Sequence, residues 1–164
     1  MDAQQYNRIS APFRTRPRAT KALVFAVKLL TGAFYLAYPV LLVILLASQS
    51  ALAAPCLMIP AASFVLLSLV RKRINAPRPY EALEIDPLIS KDTVGESFPS
   101  RHAFSAALIS MCWLAWNPPI GIALLVLACL LGIARVVGGV HFPKDVAAGL
   151  AIGVLCGLPL LLWM

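Results

Sequence analysis

The stretch RVVGGVHFPKD, from Arg135 to Asp145, places four charged or titratable side chains and two glycines between long apolar runs. Pro143 is favoured in the first turn of a helix, so His141 stands just before a helix start and Asp145 just inside it. The Asp145 carboxylate can then reach back to one imidazole nitrogen and leave the other with an exposed lone pair. The glycines permit a sharp reversal that brings Arg135 next to His141. This stretch is therefore predicted to join two helices at a membrane surface.

The rest of the chain is too apolar for a water-soluble domain. Of its 164 residues, 60% are hydrophobic and 13% charged, whereas about a quarter of the residues in soluble domains are charged. Uncharged stretches run between residues 28 and 71, between 102 and 135, and after 145. Because a spanning helix needs about 20 apolar residues, we predict an all-α polytopic membrane helical bundle. It has about five transmembrane helices, at about 22–47, 53–71, 101–116, 119–137 and 144–163.

Five spans place the N-terminal segment on the same side of the membrane as residues 71–101 and 135–145. We predict a basic N-terminal tail, residues 1–20, followed by a transmembrane domain, residues 21–164. The tail is interpreted as a solvated arm that contacts anionic lipid headgroups rather than nucleic acid. Its positive charge favours a cytoplasmic location for the polar face. Two short segments in place of the first span, which contains Pro39, would reverse that face relative to the tail.

Two further polar clusters lie on the same predicted face. In RKRINAPRPY, residues 71–80, a basic membrane stop explains Arg71 but not Arg78, which lies between two prolines. Their rigid backbone can aim its guanidinium, whose planar fork matches phosphate oxygens. In ESFPSRHAFSA, residues 96–106, Ser100 is the predicted N-cap of a helix with His102 in its first turn. Backbone N–H groups there favour an anion, although ordinary capping with an incidental histidine is the alternative interpretation.

The histidines decide between these interpretations. The chain has only two, and each lies at a predicted helix start near an arginine. Phosphoryl transfer needs several cations on the phosphate oxygens, one histidine as nucleophile and a second to protonate the departing oxygen. The four cysteines lie in the apolar spans without CxxC spacing, so we expect neither disulfides nor a metal site, and no cofactor.

Together the clusters resemble the motifs of the type 2 phosphatidic acid phosphatase superfamily, over about residues 50–164. That family includes bacterial lipid phosphatases and undecaprenyl diphosphate phosphatases and shares its pocket with vanadium haloperoxidases. The resemblance implies that His141, oriented by Asp145, attacks phosphorus to form a phosphohistidine, and that His102 protonates the leaving group and then activates water. The motifs that carry it are Arg71-x6-Arg78-Pro79, Pro99-Ser100-Arg101-His102 and Arg135-x5-His141-x3-Asp145. The phosphate-binding residues that it implies are Arg71, Arg78, Ser100 and Arg135.

Three positions depart from the family's motifs. Arg71 stands where lysine is usual, and Ala134 stands where a serine usually precedes the arginine of the third motif. Arg101 replaces the glycine of Pro-Ser-Gly-His; we count it among the phosphate-binding cations, and its side chain either points away or alters substrate choice. The acidic segment 80–96 is either a solvated loop or a lid in which Glu81 or Glu84 pairs with a basic residue.

The predicted function is a metal-independent, integral-membrane lipid phosphatase with its active site at one membrane interface. Its expected partners are membrane lipid and a phospholipid or polyprenyl phosphate substrate of the phosphatidate, phosphatidylglycerophosphate or undecaprenyl diphosphate class. A lipid phosphotransferase using the same intermediate is the alternative; a non-enzymatic anion-binding protein explains the arginines but not the His–Asp pair. We expect a multi-pass protein of the cell membrane. The headgroup and the oligomeric state stay open. The side of the active site also stays open, because the positive tail favours the cytoplasm whereas related bacterial enzymes usually face outward.

Overall fold

A computed structural model describes residues 1–90 and 93–163 of the chain. Within these residues every regular element is a helix, so the prediction of an all-α fold is confirmed. Residues 91 and 92 of the predicted lid and residue 164 of the predicted domain lie outside the described part. The helices are α1 (Ala3–Arg14), α2 (Pro17–Ala47), α3 (Ala53–Ile74), α4 (Pro79–Ala82), α5 (Arg101–Trp116), α6 (Pro118–Val137) and α7 (Pro143–Gly157), and a 3-10 helix (Leu158–Trp163) extends α7.

Four described segments are long and apolar enough to cross a membrane: 17–47, 53–82, 118–137 and 143–163. The fifth long element, α5, has 16 residues and is mostly buried among the others. Large apolar side chains on the outer helices face away from the protein, including Leu36 (66% exposed) and Leu46 (68% exposed). Lipid tails can cover such side chains at little cost because both are apolar. The prediction of a membrane bundle of about five helices is thus confirmed.

The helix bounds agree best where proline marks the start. The last three long helices begin within one residue of their predicted positions. Helix α2 begins at Pro17 rather than at residue 22, since proline suits the first helical turn, and it continues through Pro39 as one helix. The predicted solvated arm is wrong for residues 3–14. They form α1, whose Tyr6 and Ser10 are buried.

Helix α3 contains Pro60, which lacks the N–H that would bond to the carbonyl of Cys56 one turn earlier. The Tyr38 hydroxyl of α2 donates to that carbonyl at 3.0 Å. An unpaired backbone carbonyl is costly in a lipid environment, so this bond stabilises both α3 and its contact with α2.

Helix α5 is the centre of the bundle and packs against α2, α3, α6 and α7. Its closest contact is with α7, where glycines recur at every fourth residue. These are Gly149, Gly153 and Gly157. A Cβ atom added at Gly153 would lie 2.5 Å from the carbonyl oxygen of Phe104, so the two backbones can approach this closely only because the side chain is absent. This glycine-lined contact, the α5–α7 seam, holds the first turns of the two helices together. The Ser100 N–H donates to the Asp145 carbonyl at 2.8 Å.

The polar connections gather at one end of the bundle, with α1 across them. Arg14 of α1 forms an ion pair with Asp86 at 2.9 Å, and the Leu88 N–H donates to the Tyr6 hydroxyl at 3.2 Å. The Tyr6 ring also packs against Gly139 in the connection between α6 and α7. The N-terminal segment and both polar connections therefore share one end, which agrees with the topology predicted from five spans.

Candidate active site

His141 lies in the short connection before α7, and Asp145 lies in the first turn of that helix. Both are buried, with 2% and 1% of their side chains exposed. The His141 Nδ1 is 3.7 Å from Asp145 Oδ2, which is too long for a hydrogen bond. Ser97 lies beside both: its hydroxyl donates to Asp145 Oδ2 at 2.5 Å and lies 3.4 Å from His141 Nδ1. The imidazole and the carboxylate are therefore linked through a serine.

The same carboxylate oxygen also accepts the backbone N–H of Phe142 at 3.0 Å, which holds Asp145 in place. If Nδ1 of His141 carries the ring proton, it donates to the Ser97 oxygen, and the serine hydroxyl donates in turn to Asp145. In this arrangement the ring N–H and the serine hydroxyl each have an acceptor, and Nε2 keeps a free lone pair. The local geometry thus favours the tautomer in which Nε2 keeps its lone pair.

Burial lowers the pKa of His141 to about 4, from an ordinary value near 6.5. The Asp145 carboxylate opposes this shift, while the charges of Arg135 and Arg78 add to it. The imidazole is consequently neutral at physiological pH. A neutral imidazole retains the lone pair that a nucleophile needs.

Three arginine side chains from separate segments are buried beside this histidine. Arg71 lies in the last turn of α3, Arg78 directly precedes α4 and Arg135 lies in the last turn of α6. Their exposed fractions are 3%, 5% and 3%. Backbone carbonyls position two of them. Arg71 donates to the carbonyls of Glu96 and Pro99, and Arg78 donates to those of Gly95 (3.0 Å) and Val140 (3.4 Å). No described carboxylate forms an ion pair with any of the three, so the pocket is strongly positive.

Several buried donors in this pocket have no protein partner among the described residues. They are Nε of Arg71, Nε and Nη2 of Arg135, and the hydroxyl of Ser100. Ser100 is the N-cap residue of α5, as predicted, yet its hydroxyl makes no capping bond. Burying unpaired donors is costly, and an anion with several oxygens would satisfy them together.

The acidic segment after Arg78 contains Glu81, whose carboxylate bonds to the backbone. The Glu81 carboxylate accepts the backbone N–H of Arg78 at 2.7 Å and that of Gly95 at 2.9 Å. It therefore ties the two ends of the loop together through the backbone and makes no ion pair with a described basic side chain. The lid in which Glu81 or Glu84 pairs with a basic residue stays a prediction, since the segment includes residues outside the described part.

Arg101 and His102 lie in the first turn of α5 and line a cavity of about 260 Å³. The Arg101 guanidinium is 5.8 Å from the centre of the Phe64 ring. A second, almost entirely apolar cavity of about 470 Å³ adjoins the first between α2, α3 and α5. Both cavities are lined by Phe34, Tyr35, Phe64, Ser105 and Ile109.

The structure thus brings most of the predicted site residues to one end of the bundle. Six of them are buried there: His141, Asp145, Ser100, Arg71, Arg78 and Arg135. His102 and Arg101 line the adjoining cavity. Sequence reasoning missed Ser97, whose only signal was its position two residues before the Pro99-Ser100 pair. Within the described residues, no group of three or more His, Cys, Asp and Glu side chains could hold a metal ion.

Comparison with known proteins bears on this site. A family model described as the PAP2 superfamily matches residues 50–164. The chain is 36% identical over 81 residues to undecaprenyl-diphosphatase BcrC of Bacillus subtilis, which covers 49% of this chain and 42% of that protein. It is 33% identical over 96 residues to lipid A 1-phosphatase of Rhizobium etli, covering 56% and 41%. The matched regions span about two fifths of the length of these curated relatives.

Solved structures resemble the whole bundle. The crystal structure of Aquifex aeolicus LpxE superposes with a TM-score of 0.75 at 27% identity, covering 99% of this chain and 95% of that one. A phosphatidylglycerolphosphate phosphatase of Bacillus subtilis superposes with a TM-score of 0.68 at 22% identity, covering 96% and 83%. At that identity the second likeness shows the fold alone.

Proposed function

The chain belongs to the PAP2 superfamily, and on this premise we propose that it hydrolyses the phosphomonoester or diphosphate headgroup of a membrane lipid through a phosphohistidine intermediate. One observation carries the proposal: buried donors of Ser100, Arg71 and Arg135 have no partner among the described residues and lie at the same end of the bundle as the neutral His141. A phosphate group would supply the missing acceptors. The names of the relatives, an undecaprenyl-diphosphatase and a lipid A 1-phosphatase, support a lipid phosphate as substrate.

In the first step, Nε2 of His141 attacks phosphorus, and the bond from phosphorus to the leaving oxygen breaks as the P–N bond forms. The proton on Nδ1 stabilises the resulting charge through Ser97 and Asp145. The arginines and Ser100 hold the non-bridging oxygens, whose negative charge they neutralise. His102 donates a proton to the leaving oxygen, so the lipid departs as an alcohol or as a phosphate.

In the second step, His102 accepts a proton from water, and the water oxygen attacks the phosphorus of the phosphohistidine. The P–N bond breaks, inorganic phosphate forms, and His141 returns to its neutral state. Both histidines thus end the cycle with the protons they held at the start. No metal ion takes part in either step, since cations of the protein occupy the positions around the phosphate.

The two adjoining cavities support an amphiphilic substrate. The first cavity presents Arg101 and His102, and the second is lined by apolar side chains that open toward the outer surface of the bundle. A lipid whose headgroup enters the positive pocket would lay its chain along the second cavity, because apolar surface is buried there. We infer that the protein works as a multi-pass protein of the cell membrane on a phospholipid or polyprenyl phosphate.

The test is phosphate release by the detergent-purified protein in excess chelator, with phosphatidate, phosphatidylglycerophosphate and a polyprenyl diphosphate as substrates. We expect release from at least one lipid, and loss of at least about a thousandfold in His141→Ala. In His102→Ala, a substrate labelled at the scissile phosphate is expected to leave a label on the protein that is labile to acid and stable to base. Ser110→Ala, which removes a buried hydroxyl bonded to Ala106 within α5, is the matched control.

Several results would contradict the proposal. Activity that disappears with chelator would exclude the metal-independent mechanism. Activity that survives in His141→Ala would exclude the phosphohistidine. A new phospholipid in place of free phosphate, with an acceptor alcohol present, would identify a phosphotransferase instead.

A further inference from the structure

Arg101 is a cation of this site that the two hydrolytic steps do not use. It is the first residue of α5, next to His102, and its side chain is exposed within the cavity that both residues line. The Phe64 ring 5.8 Å from its guanidinium limits where that group can point. It forms no ion pair with a described carboxylate, so its charge is available to an anion.

The order of groups along the site is the second observation. Arg71 and His141 are buried, Arg101 is near enough to Arg71 for an electrostatic interaction, and the cavity that Arg101 and His102 line adjoins the apolar cavity through aromatic side chains of α2 and α3. Tyr35 lines both cavities and is near enough to Arg135 for an electrostatic interaction. A substrate with its scissile phosphate among the buried arginines and its chain in the apolar cavity would therefore place its leaving group in the cavity that Arg101 lines.

The chemistry of that leaving group separates two substrate classes. In a polyprenyl monophosphate, the atoms beyond the bridging oxygen are carbon, and a guanidinium beside them would lose water without gaining a partner. In a diphosphate, the next group is a second phosphate, whose oxygens an arginine can bind in pairs. Cleavage of a diphosphate also leaves a charged phosphate on the lipid, and a cation at that place stabilises the charge as it develops.

We propose that Arg101 binds the second phosphate of a lipid diphosphate and so makes this protein a diphosphatase in preference to a monophosphatase. The inference rests on the proposed function and deepens it by naming the substrate class. It assigns Arg101 to the leaving group, whereas the buried arginines bind the phosphate that His141 attacks. The reaction consumes a polyprenyl or comparable lipid diphosphate and water and yields the lipid monophosphate and inorganic phosphate.

The experiment compares two substrates with the same polyprenyl chain, the diphosphate and the monophosphate, on wild type, Arg101→Gln and Arg101→Lys. We expect wild type to prefer the diphosphate in kcat/KM. Arg101→Gln should lose roughly tenfold to a hundredfold on the diphosphate, the range for a charged hydrogen-bond partner, and at most about threefold on the monophosphate. Arg101→Lys should recover part of the loss, since it keeps the charge without the planar fork.

Lys144→Gln is the matched control, because Lys144 is likewise a cation in a first helical turn near an aromatic ring, 5.6 Å from Phe142. It should leave the ratio of the two substrates unchanged. An equal loss on both substrates in Arg101→Gln, or a wild type that prefers the monophosphate, would overturn this inference while the proposed function stands. A wild type that hydrolyses neither substrate, with its melting temperature in detergent intact, would overturn both.

Discussion

At the scale of single residues, the state of His141 is set by what surrounds it. Burial among arginines lowers its pKa to about 4, while in the unfolded chain it titrates near 6.5. Between pH of about 6.5 and 4 the unfolded chain therefore binds the extra proton and the folded protein does not. Linkage then requires that the free energy of unfolding fall as the pH is lowered through this window.

Histidine NMR in detergent micelles can observe this directly, since the chain has only two histidines. With ¹³C-labelled histidine in phosphate-free buffer, and His102→Gln used to assign the signals, the His141 ring resonance should stay constant from pH 8 to about 5 and titrate near 4. A midpoint near 6.5 would show that the imidazole is hydrated and would contradict a buried neutral nucleophile.

Ser97 is expected to orient the imidazole. Ser97→Ala removes the hydroxyl that contacts both His141 Nδ1 and Asp145 Oδ2, which are 3.7 Å apart. Without it the ring loses its hydrogen-bonded link to the carboxylate, and kcat should fall roughly tenfold to a hundredfold, as for other residues that orient a reacting imidazole. KM should change little because Ser97 is not placed on the phosphate.

The conservative variant Ser97→Thr keeps a hydroxyl and should restore part of kcat. Steady-state kinetics on the preferred lipid distinguishes these outcomes. If Ser97→Ala raised KM and left kcat unchanged, Ser97 would be a binding residue and the serine link would have no part in catalysis.

At the scale of elements, the seam between α5 and α7 holds the two halves of the site together. A Cβ at Gly153 would meet the Phe104 carbonyl oxygen at 2.5 Å and the Ala107 Cβ at 2.8 Å, so the helices must separate to admit it. Gly153→Ala should destabilise the protein by about 1–3 kcal/mol, as overpacking does. Activity should fall together with stability, since Asp145 lies on α7 and Ser100 is the N-cap residue of α5.

Gly32→Ala is the internal comparison, because a Cβ at Gly32 in α2 meets nothing within 4 Å. It should stabilise the protein by about 0.5–1 kcal/mol, the helix propensity difference between glycine and alanine. Thermal unfolding in detergent and phosphate release measure both variants. Similar melting temperatures for Gly153→Ala and Gly32→Ala would mean that the seam tolerates a methyl group and does not fix the site.

At the scale of the whole molecule, the bundle has a polar end and an apolar end. Helix α1, the loop before α5 and the connection before α7 share the polar end, and the α2–α3 turn lies at the other. Cysteines placed at Gln4 and Val94 should therefore react with a membrane-impermeant thiol reagent from the same side, and a cysteine at Gln49 from the opposite side. These three positions are exposed.

Intact and opened vesicles separate the two sides, and the parent protein reports any reaction of its own four cysteines. The basic residues near α1 favour the cytoplasmic side for Gln4 and Val94. Labelling of Gln4 and Val94 from opposite sides would contradict the five-helix topology.

Much of the bundle was predictable because its signals are local. A long uncharged run must cross the membrane or be buried, so the spans follow from the spacing of charges. Pro118 and Pro143 begin helices because their fixed backbone angle suits a first turn. The folding of residues 3–14 was not predictable in this way, since α1 depends on Tyr6 packing against Gly139 far along the chain.

The candidate site, like the bundle, was predictable in its local features but not in its tertiary contacts. By itself the sequence determined which residue types could act on a phosphate and at which helix ends they stand, since charge spacing and capping are short-range properties. The tertiary structure alone decided that Ser97 contacts both His141 and Asp145 and that Glu81 bonds to the backbone. It also decided that Arg101 lines a cavity that adjoins an apolar one. Those relations depend on how closely α5 and α7 approach, and that distance depends on contacts between residues far apart in the chain.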